Sequence, residues 1–192
     1  MGNNRQQTLR MRKQLGMMPP KKRKYSDDFQ TPEYAVGPLV PYLRARNFSV
    51  VWEPAAGEGY LVRALRAAGF AVISSDIREN KDFLSYVPDV EWDVIVTNPP
   101  YSLRYEFIER CYKLGKPWAM LMTLTTLEGR RQRLFREHGV ELLLLDKRIN
   151  FITPYRKDGS AWFPVAWFCH RILPQQICYG NVVNKDAIAS GE

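Results

Sequence analysis

The sequence predicts an α/β protein with a mostly parallel central sheet, helices on both faces and a C-terminal antiparallel hairpin. Short apolar runs alternate with helical patterns through residues 48–145, and this alternation with short connections is typical of parallel sheets. One apolar run stops abruptly at Asn98-Pro99-Pro100. Another is followed by a glycine-containing turn and an Ala/Leu/Arg-rich helix, which is the layout of many nucleotide sites.

The elements follow in order from local signals. Thr31 as N-cap and Pro32 at the first helical position predict a helix that runs to residue 46 with a kink at Pro41. Strands are predicted at residues 48–53, 70–74, 92–97, 118–122 and 140–145. Helices are predicted at residues 60–68, 103–114 and 127–138, each followed by a glycine. The turn-like residues 157–160, between residues 150–154 and 164–172, predict a hairpin returning to the sheet edge.

Length and composition fit one globular domain, since 45% of the 192 residues are hydrophobic. We expect a basic arm at residues 1–27, the main domain at 28–175 and a C-terminal strand or tail at 176–192. No apolar run approaches the roughly 18 to 20 residues that span a bilayer, and the polar, basic start predicts no signal peptide. The widely spaced Cys111, Cys169 and Cys178 favour a reducing, cytoplasmic compartment and no metal site.

The first candidate site lies at the end of the apolar run 94–97, which predicts a buried strand with Asn98 at its tip. Pro99 and Pro100 fix their own φ angles and restrain the residues before them, so this loop should be stiff. Ligands bind outside the carboxyl ends of strands in open α/β sheets. Asn98, Pro99, Pro100 and Tyr101 are therefore candidate site residues, although Asn-Pro also commonly marks a simple turn.

The second candidate site is the stretch from Val51 to Tyr60, where a hydrophobic strand meets a helix through small residues that let a ligand approach the backbone. A single Gly57-x-Gly59 is weak evidence. Asp76 strengthens it, because Asp76 ends the next apolar run near the spacing of about 20 residues at which an acidic side chain meets ribose hydroxyls. The pair lacks the three-glycine fingerprint of the dehydrogenase fold.

In order and spacing, these stretches resemble the class I S-adenosylmethionine-dependent methyltransferases, specifically the DNA adenine-N6 group. The resemblance rests on Glu53-Pro-Ala-Ala-Gly57-Glu-Gly59, Asp76, Asp82-Phe83 and Asn98-Pro-Pro-Tyr101. Phe29-Gln30-Thr31-Pro32 resembles the additional cofactor-side motif of small phage-type members. The resemblance spans about residues 28–170 and implies a Rossmann-like class I methyltransferase fold with S-adenosylmethionine as cofactor. RNA adenine and protein glutamine methyltransferases carry similar tetrapeptides and stay open as alternatives, as does an inactive nucleic-acid-binding relative.

On the cofactor side, we expect Asp76 to bind the ribose hydroxyls and Glu53 to meet the methionine ammonium group. The resemblance implies that Asp82 accepts from the cofactor adenine and that Phe83 lies against its ring, with a helix-capping role as the alternative for Asp82. The remaining predicted cofactor contacts lie near the methionine part, namely Gln30, Thr31, Pro32, Pro54, Ala55, Gly57, Gly59 and Asn98.

On the substrate side, an adenine amino nitrogen is a poor nucleophile because its lone pair is delocalised into the ring. The Asn98 side-chain carbonyl and the Pro99 backbone carbonyl could hold its two N–H groups in a tetrahedral geometry. Tyr101 offers a ring on which a flipped-out base stacks, worth roughly 1 to 3 kcal/mol. By resemblance Phe151 covers the other face, with a core role as its alternative and with Trp162 and Phe163 as competitors.

The charge pattern indicates a nucleic-acid partner, which the resemblance implies to be DNA, and we expect the protein to be a monomer. The formal net charge is +8, and residues 1–24 hold eight basic residues and no acidic residue. Such an arm is typical of nucleic-acid binders, although it could also be a solvated tail or a nuclear-localisation run at residues 21–24. The candidate phosphate contacts are Arg104, Arg130, Arg131, Arg133, Arg148, Arg156 and Lys157, and an ordinary solvated face is the alternative for them.

Overall fold

The computed structural model describes residues 29–152 and 163–183. Their strands form one seven-stranded sheet in the order β2-β1-β3-β4-β6-β5-β7. The strands are β1 Val50–Glu53, β2 Ala71–Ser74, β3 Val94–Thr97, β4 Trp118–Thr123, β5 Glu141–Leu145, β6 Val165–His170 and β7 Ile177–Gly180. Only β6 runs antiparallel to its neighbours in this sheet. The predicted fold class is confirmed.

Four α-helices pack against this sheet in the described part of the chain. They are α1 Val40–Ala45, α2 Tyr60–Ala67, α3 Arg104–Leu114 and α4 Gln132–His138. Short 3₁₀ helices occupy Glu33–Val36, Ile77–Glu79, Tyr101–Leu103, Leu124–Leu127 and Gly129–Arg131. Across residues 29–152 and 163–183, no helix combines the length and apolar character needed to cross a bilayer.

The helices bury two separate cores, one on each face of the sheet. Alternate residues along a strand point to opposite faces, so Trp167 of β6 belongs to one core and its neighbour Phe168 to the other. The first core contains residues of α1 and α2, and the second contains residues of α3 and α4. Covering both faces explains why β3 is buried at every position instead of alternating between buried and exposed residues.

The chain order places a crevice between β1 and β3. From β1 the chain moves outward to β2 on one side and then returns to β3 on the other side of β1. Ligands of open α/β sheets bind where the strand order reverses in this way. Glu53 ends β1 and Asn98 follows β3 directly, so both predicted stretches reach this crevice.

The first predicted helix, residues 31–46, is in fact two helices. Neither Pro38 nor Pro41 has an N–H to donate, which interrupts the ladder of i to i−4 hydrogen bonds after Val36. Pro41 therefore lies at the start of α1, where the missing N–H has no cost, and does not kink a longer helix. Thr31 makes no capping bond, and Pro32 precedes the 3₁₀ helix instead.

The predicted basic helix and hairpin also differ from the structure. Gly129 has φ +72, so residues 124–131 form two 3₁₀ turns and only Gln132–His138 is α-helical. The strand at 165–170 lies inside the sheet between β4 and β5, not at its edge. Five of its six residues are buried, so both faces need cover. Residues 157–160 lie outside the described residues.

Candidate active site

A cavity of about 290 Å³ opens at the carboxyl ends of β1, β2 and β3. This is close to the lower end of the usual range for small-molecule sites. Most of the predicted cofactor residues line it, namely Gln30, Thr31, Glu53, Pro54, Ala55, Gly57, Asp76, Asp82, Phe83 and Asn98. Pro100 also lines the cavity, whereas Pro32, Gly59, Pro99 and Tyr101 do not.

Glu53 places a carboxyl group in the floor of this cavity. The residue is only 1% exposed, and the Ala55 N–H donates to its Oε1 at 2.9 Å. Burial raises the pKa of Glu53 to about 8, because the few hydrogen bonds that the carboxylate accepts do not replace its lost hydration. In this protein Glu53 is therefore mostly protonated at neutral pH.

Asp76 is the charged acidic group of the cavity. Its Oδ2 accepts from the Gly57 N–H at 2.8 Å, and its Oδ1 accepts from the Arg78 N–H and the Arg78 guanidinium at 2.9 and 3.0 Å. Burial alone would raise the pKa of Asp76, but these donors outweigh it and lower the pKa. Oδ2 has only one of these donors and keeps capacity to accept from a ligand hydroxyl.

Gln30 covers the turn that follows β1. The Glu58 N–H donates to the Gln30 side-chain carbonyl at 3.0 Å. A Cβ atom at Gly57 would lie 2.6 Å from the same oxygen, and Gly57 has φ +54. Glycine is required here both by the backbone conformation and by the close approach of Gln30.

Asn98 is held in one orientation by the chain segment at Phe29. Its Nδ2 donates to the Phe29 backbone carbonyl at 2.6 Å, and a carbonyl can only accept, so the amide cannot be reversed. Within residues 29–152 and 163–183, its buried Oδ1 has no hydrogen-bond partner. An unpaired buried acceptor is costly, and here it belongs to a residue that lines the cavity.

Tyr101 lies in a cluster of aromatic rings beside the cavity. Phe29 is stacked on it, with ring centroids 5.8 Å apart and an interplanar angle of 18°. Phe151 and Phe163 meet Tyr101 edge-on at 6.4 and 5.7 Å. Phe151 lies next to Tyr101, is 6% exposed and belongs to the core, which is the alternative position given for it. Trp162 lies outside the described residues.

Asp82 and Phe83 combine a structural and a cavity-lining position. The Leu84 N–H donates to Asp82 Oδ1 at 3.0 Å, which is a capping contact. Phe83 is 2% exposed and packs against Trp52 and Phe107 in the second core. Both residues also line the cavity.

Three of the candidate phosphate contacts, Arg131, Arg104 and Arg130, make contacts with neighbouring residues. Arg131 donates to the Thr126 and Thr125 carbonyls at 2.8 and 3.0 Å, and Arg104 donates to Thr123 Oγ1 at 3.0 Å. Arg130 pairs with Glu106 at 3.0 Å and lies over the Tyr105 ring. Arg133 and Arg148 are exposed. Arg156, Lys157 and the basic arm lie outside the described residues.

Two further residues belong to the site and were not predicted. Arg78 bridges Asp76 and Glu58, with a distance of 2.7 Å from its Nη1 to Glu58 Oε1. Its position two residues after the acidic Asp76 is the signal that could have identified it. Phe29 contacts both Asn98 and Tyr101, and its only signal is that it begins the Phe29-Gln30-Thr31-Pro32 stretch.

Comparison with solved structures places this architecture among known folds. A candidate RNA methyltransferase from Pyrococcus horikoshii aligns over 86% of this chain and 99% of its own, with a TM-score of 0.55 and 17% identity. The fold is a Rossmann-like methyltransferase fold. At this identity the likeness shows the fold alone.

Two further alignments have lower TM-scores. A precorrin-6y C5,15-methyltransferase from Geobacter metallireducens gives a TM-score of 0.43 at 15% identity, covering 75% of this chain and 93% of its own. The M protein of the type I restriction enzyme EcoKI gives 0.44 at 15% identity, covering 76% of this chain and 44% of that longer one. No protein-family model and no curated protein sequence matches the chain.

Proposed function

We propose that this protein is an S-adenosylmethionine-dependent methyltransferase that methylates the N6 amino group of adenine in DNA. One observation carries the proposal. Asn98 presents a buried Oδ1 that has no partner in the described part of the chain, and Asn98 lines the same cavity as Glu53 and Asp76. An acceptor for an amino group thus lies next to acidic groups suited to a cationic, ribose-containing cofactor.

The cavity residues fit this cofactor. S-adenosylmethionine supplies an electrophilic methyl group on a sulfonium when it is bound. Asp76 is charged and has an oxygen with accepting capacity, which suits ribose hydroxyls. Glu53 is buried close to the turn at Ala55–Gly57, where an ammonium group would stabilise its ionised form. Gly57 has no Cβ, which lets the Gln30 side chain lie directly against the turn that follows β1.

The substrate role of this chain is to hold and orient the adenine amino group. Asn98 Oδ1 and the Pro99 carbonyl accept its two N–H groups, so that the nitrogen lone pair points toward the cofactor side of the cavity. An amide is not a base at physiological pH, so Asn98 does not remove a proton. The proton leaves to water after the methyl group is transferred, and positioning contributes most of the rate.

DNA is favoured over other substrates by charge. All of the formal net charge of +8 lies in residues 1–24, and a basic arm of this kind suits the phosphate backbone. Glutamine in a protein offers no such polyanion. RNA adenine methylation is the second candidate, because the resemblance at Asn98-Pro-Pro-Tyr101 is shared with that class.

A substrate comparison tests the proposal. Purified protein and methyl-labelled S-adenosylmethionine would be incubated separately with adenine-unmethylated duplex DNA, with RNA and with a glutamine-containing peptide, and the products digested and identified. We expect N6-methyladenine in DNA alone. Label in RNA or peptide would keep the methyltransferase and overturn the substrate. No label, together with no cofactor binding by calorimetry, would favour an inactive nucleic-acid-binding relative.

A further inference from the structure

Phe29 is stacked on Tyr101, the ring on which we expect the target base to stack. The two rings are close to parallel, 18° apart, with centroids 5.8 Å apart. Phe151 and Phe163 meet Tyr101 edge-on, and the Arg104 guanidinium lies 5.7 Å from the centre of the Tyr101 ring. Among these neighbours, Phe29 alone presents a flat ring parallel to Tyr101, which is how a base stacks on an aromatic side chain.

The Phe29 main chain makes a second contact with the same site. Its carbonyl accepts from Asn98 Nδ2 at 2.6 Å, which leaves Asn98 Oδ1 as the outward acceptor. One residue therefore touches both groups that the proposed reaction assigns to the substrate base, Asn98 through its backbone and Tyr101 through its ring.

The two contacts are mechanically separable, because the backbone of this segment is tied down independently of the ring. Gln30 and Ile152 exchange two backbone hydrogen bonds, at 2.9 and 3.0 Å. The Gln30 side chain also accepts from the Glu58 N–H at 3.0 Å. Rotation of the Phe29 side chain can thus uncover Tyr101 while the Phe29 carbonyl stays on Asn98.

We propose that Phe29 closes the base site in the free protein. Its ring fills the stacking face of Tyr101 until a flipped adenine displaces it, and its carbonyl keeps Asn98 oriented throughout. The inference rests on the proposed function, since it concerns regulation of that same site. If the ring must leave before the base enters, the apparent substrate affinity equals the intrinsic affinity multiplied by the fraction of molecules in which the site is open.

A matched pair of variants separates this role from ordinary packing. Phe29→Leu removes the stacked ring and keeps the backbone. Phe48→Leu alters another half-buried phenylalanine of the same core, which precedes the amino end of β1 and so lies away from the cavity at the carboxyl end of that strand. For Phe29→Leu we expect KM for DNA to fall about three- to tenfold. Phe48→Leu should lower the melting temperature without lowering KM. A KM for Phe29→Leu that is unchanged or raised overturns the proposal.

A direct probe of the ring does not depend on methyl transfer. 4-Fluorophenylalanine placed at position 29 reports the Tyr101 stack through its fluorine resonance, which Tyr101→Ala would shift in the free protein. The labelled protein is titrated with oligodeoxyadenylate and oligodeoxythymidylate of about 12 nucleotides. We expect the adenine probe to move the resonance and the thymine probe to leave it in place.

The two experiments keep the inference distinct from the proposed function. Displacement of the ring by oligodeoxyadenylate in a protein that methylates no DNA would support the closed site and refute the reaction. Methylation of DNA with a ring resonance that neither oligodeoxyadenylate nor the substrate duplex moves would support the reaction and refute the closed site.

Discussion

Replacing Glu53 with glutamine is expected to remove a large pH dependence from the folding stability. Glutamine keeps the size and the accepting oxygen but cannot ionise. The wild-type carboxyl has a pKa of about 8 in the folded protein against an ordinary value of 4.5, because burial disfavours its charged form. The folded state therefore binds more protons than the unfolded state between these two values, and the free energy of unfolding falls as the pH rises through this window.

The size of the effect follows from the two pKa values. The full difference corresponds to about 5 kcal/mol at 1.36 kcal/mol per pKa unit, of which about 3.5 kcal/mol appears between pH 5 and pH 8. This is a large share of the 5 to 15 kcal/mol that stabilises a typical domain. Glu53→Gln should thus gain stability relative to wild type by about that amount as the pH rises from 5 to 8.

Urea unfolding at several pH values, with the cysteines kept reduced, measures this difference. Subtracting the two profiles cancels the titration of all other groups. Glu79→Gln is the matched control, because the Glu79 side chain is 55% exposed and pairs with Lys81 at the surface. Its profile should parallel that of wild type. Parallel profiles for wild type and Glu53→Gln would refute the assignment of Glu53 as a buried, protonated acid.

Three further outcomes are expected. Binding of S-adenosylmethionine at pH 7 should release close to one proton, because its ammonium group favours the ionised form of Glu53. Calorimetry in buffers of different ionisation enthalpy measures the number of protons released. Release of no proton would contradict this pairing. Gly57→Ala should weaken cofactor binding, because the new Cβ would lie 2.6 Å from the Gln30 side chain. Gly69→Ala should lower stability only, because Gly69 has φ +91 but open space around its Cβ position. Arg133→Ala should lower by about one the slope of log K for DNA binding against log salt concentration. Arg131→Ala should instead lower the free energy of unfolding by about 1 to 3 kcal/mol, because Arg131 donates to two backbone carbonyls. Equal effects within either pair would refute the distinction.

The local signals in the sequence were strong enough to predict the sheet and the crevice. Apolar runs of strand length separated by helical patterns leave few arrangements for a chain of this size. Because parallel strands end at the same edge, Glu53, Asp76 and Asn98 could be expected to converge there, and all three line one cavity.

The parts that failed depend on contacts between distant segments. The strand at 165–170 reads as a hairpin arm, but its insertion between β4 and β5 is decided by the need to cover two apolar faces. Gly129 and the proline pair near residue 40 shortened helices that the apolar pattern alone would have continued. Phe29 lies 69 positions before Asn98, and no local pattern shows that its carbonyl would orient that amide.

Methyl transfer by the Asn98→Ala variant tests the central claim most directly. Wild type and variant would be compared for N6-methyladenine formed in duplex DNA, with cofactor affinity measured in parallel by calorimetry. The variant keeps the acidic cofactor groups and loses the amide acceptor. We expect a loss of at least about 100-fold in rate, as for removal of a transition-state hydrogen bond, and this loss should exceed any loss of cofactor affinity. A variant that methylates adenine at the wild-type rate would contradict the assignment of this cavity as the site of the reaction.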